Sequence, residues 1–312
     1  MSFENIKWIW KNGELIAWAD ATVHVSAHGL HYGSGVFEGI RCYETANGPA
    51  LFRLSEHLER FHTSADVYNF TIPYSVDELT GAICELIDAN DLASCYVRPI
   101  CYMGSGSLGV HPGKCPVEVA IMAWPWGAYL GSEGIEKGIR VTISPWRKFH
   151  SSSMPTTAKA CGQYLNSILA VQDAFARGFD EALLLDMDGR LAEGSGENLF
   201  VISDGKIFTN KADDSILMGI TRDAAIEIAR ELGISIEARS LELNDLLNAD
   251  EAFFTGTAAE ITPIREVDGL VIGGGSRGPV TKLVQDTFFE AVAGRDERFT
   301  KWLHPVKQAV AA

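Results

Sequence analysis

Trp126-Gly127-Ala128-Tyr129-Leu130-Gly131-Ser132-Glu133-Gly134-Ile135-Glu136-Lys137-Gly138 carries four glycines in thirteen residues. Glycine's backbone freedom suits this run to a linker, and it separates two differently patterned parts of the chain. Before it, Trp8-Ile9-Trp10 and Leu15-Ile16-Ala17-Trp18 flank an Asn12-Gly13 turn, a strong hairpin signal. Val36 to Tyr43 and Ala50-Leu51-Phe52 read as further strands. Leu58, Phe61, Ala65 and Tyr68 then recur at helical spacing, with Ser55 as the expected N-cap. Ser75 and Glu78 form a capping box before Val76, Leu79, Ile83 and Leu86, and Tyr96–Met103 and Val117–Trp124 complete an α+β pattern.

Beyond the linker, Ile139–Ile143 reads as a strand. A helix over about 160–177 follows, with Leu165, Ile168, Val171 and Phe175 as its expected apolar side and Gly178 as its stop. Glu181–Leu185, Asn198–Ser203, Lys206–Thr209 and Ile261–Val267 read as strands, and about 222–232 as a helix. The expected organisation is therefore a small N-terminal α+β domain over 1–125, a linker over 126–138 and a larger C-terminal α/β domain over 139–312.

The balance of 312 residues, 46% hydrophobic and 21% charged, fits folded domains with ample core. A formal charge of -15 argues against a nucleic-acid binder, which needs clustered Lys and Arg. No apolar run approaches membrane-spanning length, and no signal-peptide pattern opens the chain. The six cysteines form no CxxC pair, so reduced thiols in a cytoplasm are the expected setting.

Three motifs are discounted. Gly104-Ser105-Gly106-Ser107-Leu108-Gly109 matches GxGxxG, but Pro112 falls inside the helix that a dinucleotide site requires, so a loop beside a cleft is expected. His24, His28 and His31 lack the carboxylates or thiols that would complete a metal set, and no metal is expected. Gly194-Ser195-Gly196 lacks GxSxG spacing, leaving Ser195 as a turn residue. Met154-Pro155-Thr156-Thr157-Ala158-Lys159-Ala160-Cys161-Gly162 is different: a lysine among small, weakly charged residues. Such a lysine, held in a cavity, loses ammonium hydration and gains nucleophilic character. By itself the segment leaves an ordinary surface lysine open.

The chain resembles the fold-type IV pyridoxal-phosphate (PLP) enzymes, and among them the branched-chain-amino-acid aminotransferases. The resemblance rests on an ordered set spanning the chain: His31-Tyr32-Gly33, Val36-Phe37-Glu38-Gly39-Ile40-Arg41, Tyr96-Val97-Arg98-Pro99, Pro155–Lys159, Glu193–Phe200 and Gly256–Pro263. It implies a two-domain α/β and α+β fold whose larger domain is a pseudo-barrel. It also implies that Lys159 bonds PLP and shuttles a proton, that Glu193 faces the pyridine nitrogen, and that Tyr164 meets the phenolic oxygen. For the phosphate it implies Arg60, Gly219, Ile220, Thr221 and Thr257, with Gly196, Leu217 and Gly256 completing the cofactor set. Tyr32, Phe37, Tyr96, Arg98, Tyr129, Tyr164, Thr257 and Ala258 would bind substrate, with Arg98 and Tyr32 receiving glutamate's distal carboxylate.

The implied reaction is ping-pong transfer between L-leucine, L-isoleucine or L-valine and 2-oxoglutarate, giving the branched 2-oxo acid and L-glutamate. A homodimer or higher homo-oligomer is implied, with the Gly104–Gly113 loop reaching a neighbouring subunit's pocket. D-amino-acid transaminase, R-amine transaminase and 4-amino-4-deoxychorismate lyase share the fold. Tyr96-Val97-Arg98 together with Gly256-Thr257-Ala258-Ala259 favours the branched-chain branch. A noncatalytic PLP-binding sensor is the reading from another class, disfavoured by the presence of Lys159.

Overall fold

The computed structural model describes residues 3, 5–127 and 131–307. It divides into two compact units. The first runs to Gly127 and also takes Ala158–Gln163 and the chain from Ala291; the second comprises the chain from Ala128 to Thr157 and Tyr164–Glu290.

In the first unit, the hairpin Trp8–Lys11/Glu14–Ala17 closes through Asn12 and Gly13, both at positive φ. It forms one end of a sheet in the order Leu303–Pro305, Gly48–Phe52, Ile40–Thr45, Cys95–Met103, Val117–Trp124, Trp8–Lys11, Glu14–Ala17. The expected single strand from Val36 to Tyr43 is two, Gly35–Phe37 and Ile40–Thr45, both paired with Cys95–Met103. The break falls at Glu38-Gly39. Helices Leu54–Val67 and Val76–Ala89 supply Leu58, Phe61, Leu79, Ile83 and Leu86 to a core shared with Val36, Ile40, Leu51, Val97 and Ile121. The Ser75/Glu78 capping box forms as expected. Ser55 does not cap its helix: the N-cap is Arg53, in left-handed conformation and without a side-chain cap bond.

In the second unit, Ile139–Ile143, Glu181–Leu185, Leu191–Gly194, Asn198–Ser203, Glu251–Gly256 and Glu260–Val267 close into a six-stranded barrel. Ile139–Ile143 runs parallel to both neighbours, and the bridge from Glu193 to Asn198 completes the ring. Leu183, Leu199, Val201, Phe254 and Ile264 anchor its core. Helix Tyr164–Ala176 packs on Glu181–Leu185 through Ala170 and Ala174 rather than through its large side chains. Leu165, Ile168 and Phe175 are exposed, Leu165 by 65%. The small face wins because it lets the helix axis approach the sheet closely, which branched residues would prevent. Within the expected linker, Gly131–Lys137 is helical.

The loop reading of Gly104–Gly113 agrees with the fold, since no helix forms over those residues. The histidines nearby take hydrogen-bonding roles. His28 spans Ser34 Oγ and the Gly109 carbonyl, and His31 meets the Val25 carbonyl.

Candidate active site

The strand break at Glu38-Gly39 decides the geometry of the first unit's polar centre. Glu38 is wholly buried, and its carboxylate accepts from Arg60 Nε at 2.6 Å, Arg60 Nη2 at 3.0 Å and the Gly39 amide at 3.2 Å. His57 Nδ1 lies 2.7 Å from the same carboxylate. His57 and Arg60 are three residues apart and so share one face of helix Leu54–Val67. Burial pushes the Glu38 carboxyl up, but the Arg60 guanidinium and the hydrogen bonds from His57 and Arg60 outweigh it and hold the acid well below its usual range. His57 is driven the other way, its imidazolium disfavoured chiefly by burial. The centre is therefore a carboxylate, a neutral imidazole and a guanidinium. One edge of Arg60's fork is fixed in place by Glu38.

Lys159 is carried by the short segment Ala158–Gln163. Ala160 bridges to Val36, Phe37's amide donates to the Lys159 carbonyl, and Ser64 Oγ accepts from the Lys159 amide at 3.0 Å. Its Nζ lies 5.1 Å from the Phe37 ring centroid. Burial lowers its pKa to about 8; Glu38 pulls it up, and Arg60 and Arg98 push it further down. About a tenth of the amine is then neutral at pH 7, against well under a thousandth for an ordinary lysine.

Beside it stands an aromatic and cationic wall. Arg98's guanidinium lies 4.7 Å from the Phe37 ring centroid and donates to Tyr96 Oη at 3.4 Å. Tyr96 is stacked on Trp126 at 4.8 Å. The Tyr96 hydroxyl rests on Gly39 so closely that a Cβ there would lie 1.8 Å from it. Gly39→Ala must therefore displace a buried ring. It is expected to cost about 1–3 kcal/mol, measured as a lowered midpoint in urea. An unchanged midpoint would show that the ring moves freely.

Tyr32 stands apart from that wall in its contacts: it is 45% exposed, and its hydroxyl donates to the Leu108 carbonyl at 2.7 Å. Tyr129 lies outside the described residues.

In the second unit, Glu193 sits on Leu191–Gly194, and its Oε2 accepts from the Leu217 amide at 3.0 Å. Asn198 Nδ2 donates to the Leu217 carbonyl at 2.8 Å and reaches Glu193 Oε2 at 3.4 Å. Asn198 thus ties the entry to helix Ile220–Glu231. Its Oδ1 would be 2.1 Å from a Cβ on Gly219, so that N-cap needs glycine for space. The helix's first turn holds Thr221, whose buried hydroxyl has no hydrogen-bond partner among the described residues. Gly256 lies next to the Gly196 carbonyl, and a Cβ on Gly196 would meet open space. Thr257 and Ala258 occupy the tight connection between Glu251–Gly256 and Glu260–Val267. Tyr164 begins helix Tyr164–Ala176.

Each unit carries groups of a kind that a phosphorylated pyridine aldehyde requires. A lysine of lowered pKa suits the carbonyl, and a buried carboxylate suits a ring nitrogen. An unpartnered hydroxyl on a helix N-terminus, with glycines alongside, suits a phosphate. Glu38, His57 and Asn198 were absent from the expected site. The His57/Arg60 spacing and the place of Glu38 within a quoted motif were the available signals for the first two.

A lysine-centred, carbonyl-binding enzyme is the class these features define. The amino-transferase class IV family model matches residues 35–267. The branched-chain-amino-acid aminotransferase of Escherichia coli strain K12 is 47% identical over 309 residues, covering 99% of this chain and all of that one. The Pseudomonas aeruginosa branched-chain-amino-acid aminotransferase is 47% identical across 96% of this chain and 97% of its own. Among solved structures, the branched-chain amino acid aminotransferase from Thermobaculum terrenum in its PLP-form superposes with a TM-score of 0.91. It shares 35% identity over 98% of this chain and all of that one. The chain belongs to the class IV aminotransferase family.

Proposed function

We propose that this protein is a PLP-dependent transaminase that moves the amino group of L-leucine, L-isoleucine or L-valine to 2-oxoglutarate and returns by the same route. The observation that carries the reading is Lys159, whose surroundings lower its pKa to about 8. The same amine serves as nucleophile and then as proton carrier, and both tasks need its neutral form. Bound PLP supplies the electron sink that makes removal of the Cα proton feasible. Glu193 would face the ring nitrogen, and Tyr164 the phenolic oxygen. Arg60, Gly219, Ile220, Thr221 and Thr257 would hold the phosphate, with Gly196, Leu217 and Gly256 completing the cofactor set.

Phe37, Tyr32 and Tyr164 would help wall the side-chain pocket, and Tyr96 with the Thr257-Ala258 turn would bind the α-carboxylate. Arg98 and Tyr32 meet glutamate's distal carboxylate. Homo-oligomers, at least dimers, are supported by the exposed apolar set Val25, Leu30, Leu108 and Val110 on the first unit. The six unpaired cysteines support a cytoplasmic setting. Among the described residues no helix is long and apolar enough to cross a membrane.

The test is a paired-substrate assay with 2-oxoglutarate. Each of the three branched L-amino acids should yield L-glutamate faster than D-alanine or an R-amine yields product. A preference for either of the latter over all three overturns the reading.

A further inference from the structure

Glu193 has a second partner that the proposed chemistry does not use. Lys148 Nζ lies 2.5 Å from Glu193 Oε1, and their side chains are only 11% and 8% exposed. Lys148 reaches it from the chain just beyond Ile139–Ile143. There its amide donates to the Leu185 carbonyl at 2.8 Å, and Asn166 Nδ2 donates to the preceding Arg147 carbonyl. The ammonium also lies 4.6 Å from the Phe149 ring centroid. Among the described residues, Lys148 is the one cation within ion-pair distance of Glu193. The other carboxylate oxygen takes the Leu217 amide and, at longer range, Asn198. Each oxygen is therefore anchored by a partner of its own, while each retains lone-pair capacity.

A pair this sheltered is not a surface ion pair, whose worth is small. It fixes the carboxylate's orientation, and it changes what that carboxylate can do. A lone carboxylate stabilises a cationic ring nitrogen with its full charge. One already paired with an ammonium does so less, because the two cations repel across it. We propose that Lys148 is a positioning residue that shares Glu193 with the cofactor's ring nitrogen and limits how strongly that carboxylate favours a cationic ring. The inference rests on the reading that Glu193 faces this nitrogen. It assigns the site an adjustable charge balance: near-neutral beside the ring rather than net negative.

The test compares the affinity of the full-length cofactor-free protein for two aldehydes. One is PLP; the other is its 1-deaza analogue, in which C–H replaces the ring nitrogen and no ring cation forms. The quantity read is the ratio of the two Kd values, analogue over PLP. Both aldehydes bond lysine, so that contribution cancels and no turnover is measured. Lys148→Met keeps the apolar stem and removes the charge; it should raise the ratio roughly tenfold, the size expected for two like charges bridged by one carboxylate in a partly buried site. Lys148→Arg restores the charge and should return the ratio to that of the unaltered protein.

A merely structural lysine would weaken both aldehydes alike in Lys148→Met, and an unchanged or lowered ratio overturns the proposal. Glu193→Gln separates the two readings. If Glu193 faces the nitrogen, this variant should bring the ratio down toward one. A ratio unaffected by Glu193→Gln removes the Glu193 assignment, and the inference with it. A collapse there combined with no response in Lys148→Met removes the lysine's role alone. Arginine at 148 also controls for a folding defect, since it keeps a cation beside Glu193.

Discussion

Replacing Lys159 with methionine is expected to abolish transamination and at the same time to stabilise the cofactor-free protein by about 2–3 kcal/mol at pH 7. The two effects share one cause. Burial lowers the Lys159 pKa from 10.5 to about 8, which favours the reactive neutral amine but makes the charged form costly to hold in the folded state. The sign follows from proton binding. Below about pH 8 the amine is charged in both folded and unfolded chains, and the full penalty is present. Between about 8 and 10.5 the unfolded chain binds more protons than the folded one, so stability rises with pH. Above 10.5 both forms are neutral and the penalty is gone. Urea melts of the two proteins should therefore differ most at neutral pH and converge toward pH 10–11. Lys159 keeps some contact with solvent, which softens the penalty toward the lower end of that range. Equal stabilities across the whole range would mean that Lys159 is an ordinary solvated lysine, and wild-type turnover in the methionine variant would end its assignment.

The parts of the fold that were legible from sequence are those set by neighbours in the chain. The Asn12-Gly13 hairpin and the Ser75/Glu78 capping box are decided within four residues, and both form. The barrel depends on pairings such as Ile139–Ile143 with Glu260–Val267, which no local pattern records. The helix starting at Tyr164 shows the same limit in another way. Its large apolar residues marked a plausible buried stripe, yet Ala170 and Ala174 make the contact, since packing rewards close approach as well as hydrophobic area. In the site, the family resemblance pointed to Lys159, Arg60 and Glu193 as separate functional positions. They could not show what each leans on. Lys148 lies outside every recognised stretch and meets Glu193 only because the chain leaves a barrel strand at that point. Glu38 looked like one more residue of a continuous strand until the break at Gly39 turned it inward.

Glu38 carries the other large effect. Glu38→Ala leaves Arg60's fork and His57 Nδ1 without their shared acceptor inside the first unit's core. Breaking such a network by removing one partner costs about 3–5 kcal/mol, far more than the net worth of the pair. Glu38→Gln retains the shape and one acceptor oxygen, and neutral His57 can exchange tautomers to meet the amide. Its cost should be smaller, about 1–3 kcal/mol. The pH dependence distinguishes this from a simple packing defect. The Glu38 carboxyl is held well below its ordinary 4.5, so its contribution is complete above about pH 4.5 and fades as the pH falls further. The stability gap between Glu38→Gln and the unaltered protein should thus be flat from pH 5 to 7 and narrow in acid. Glu38 also raises the Lys159 pKa, so its removal should lower that value further. In the cofactor-free Glu38→Gln protein, the rate of Lys159 modification by a simple aldehyde should reach half its maximum at a pH below the unaltered protein's value of about 8. A midpoint that stays put while stability falls would leave Glu38 as an anchor for Arg60 alone. A midpoint that rises would contradict the electrostatics of the centre, because loss of the Glu38 anion from beside a still-buried Lys159 can only lower it.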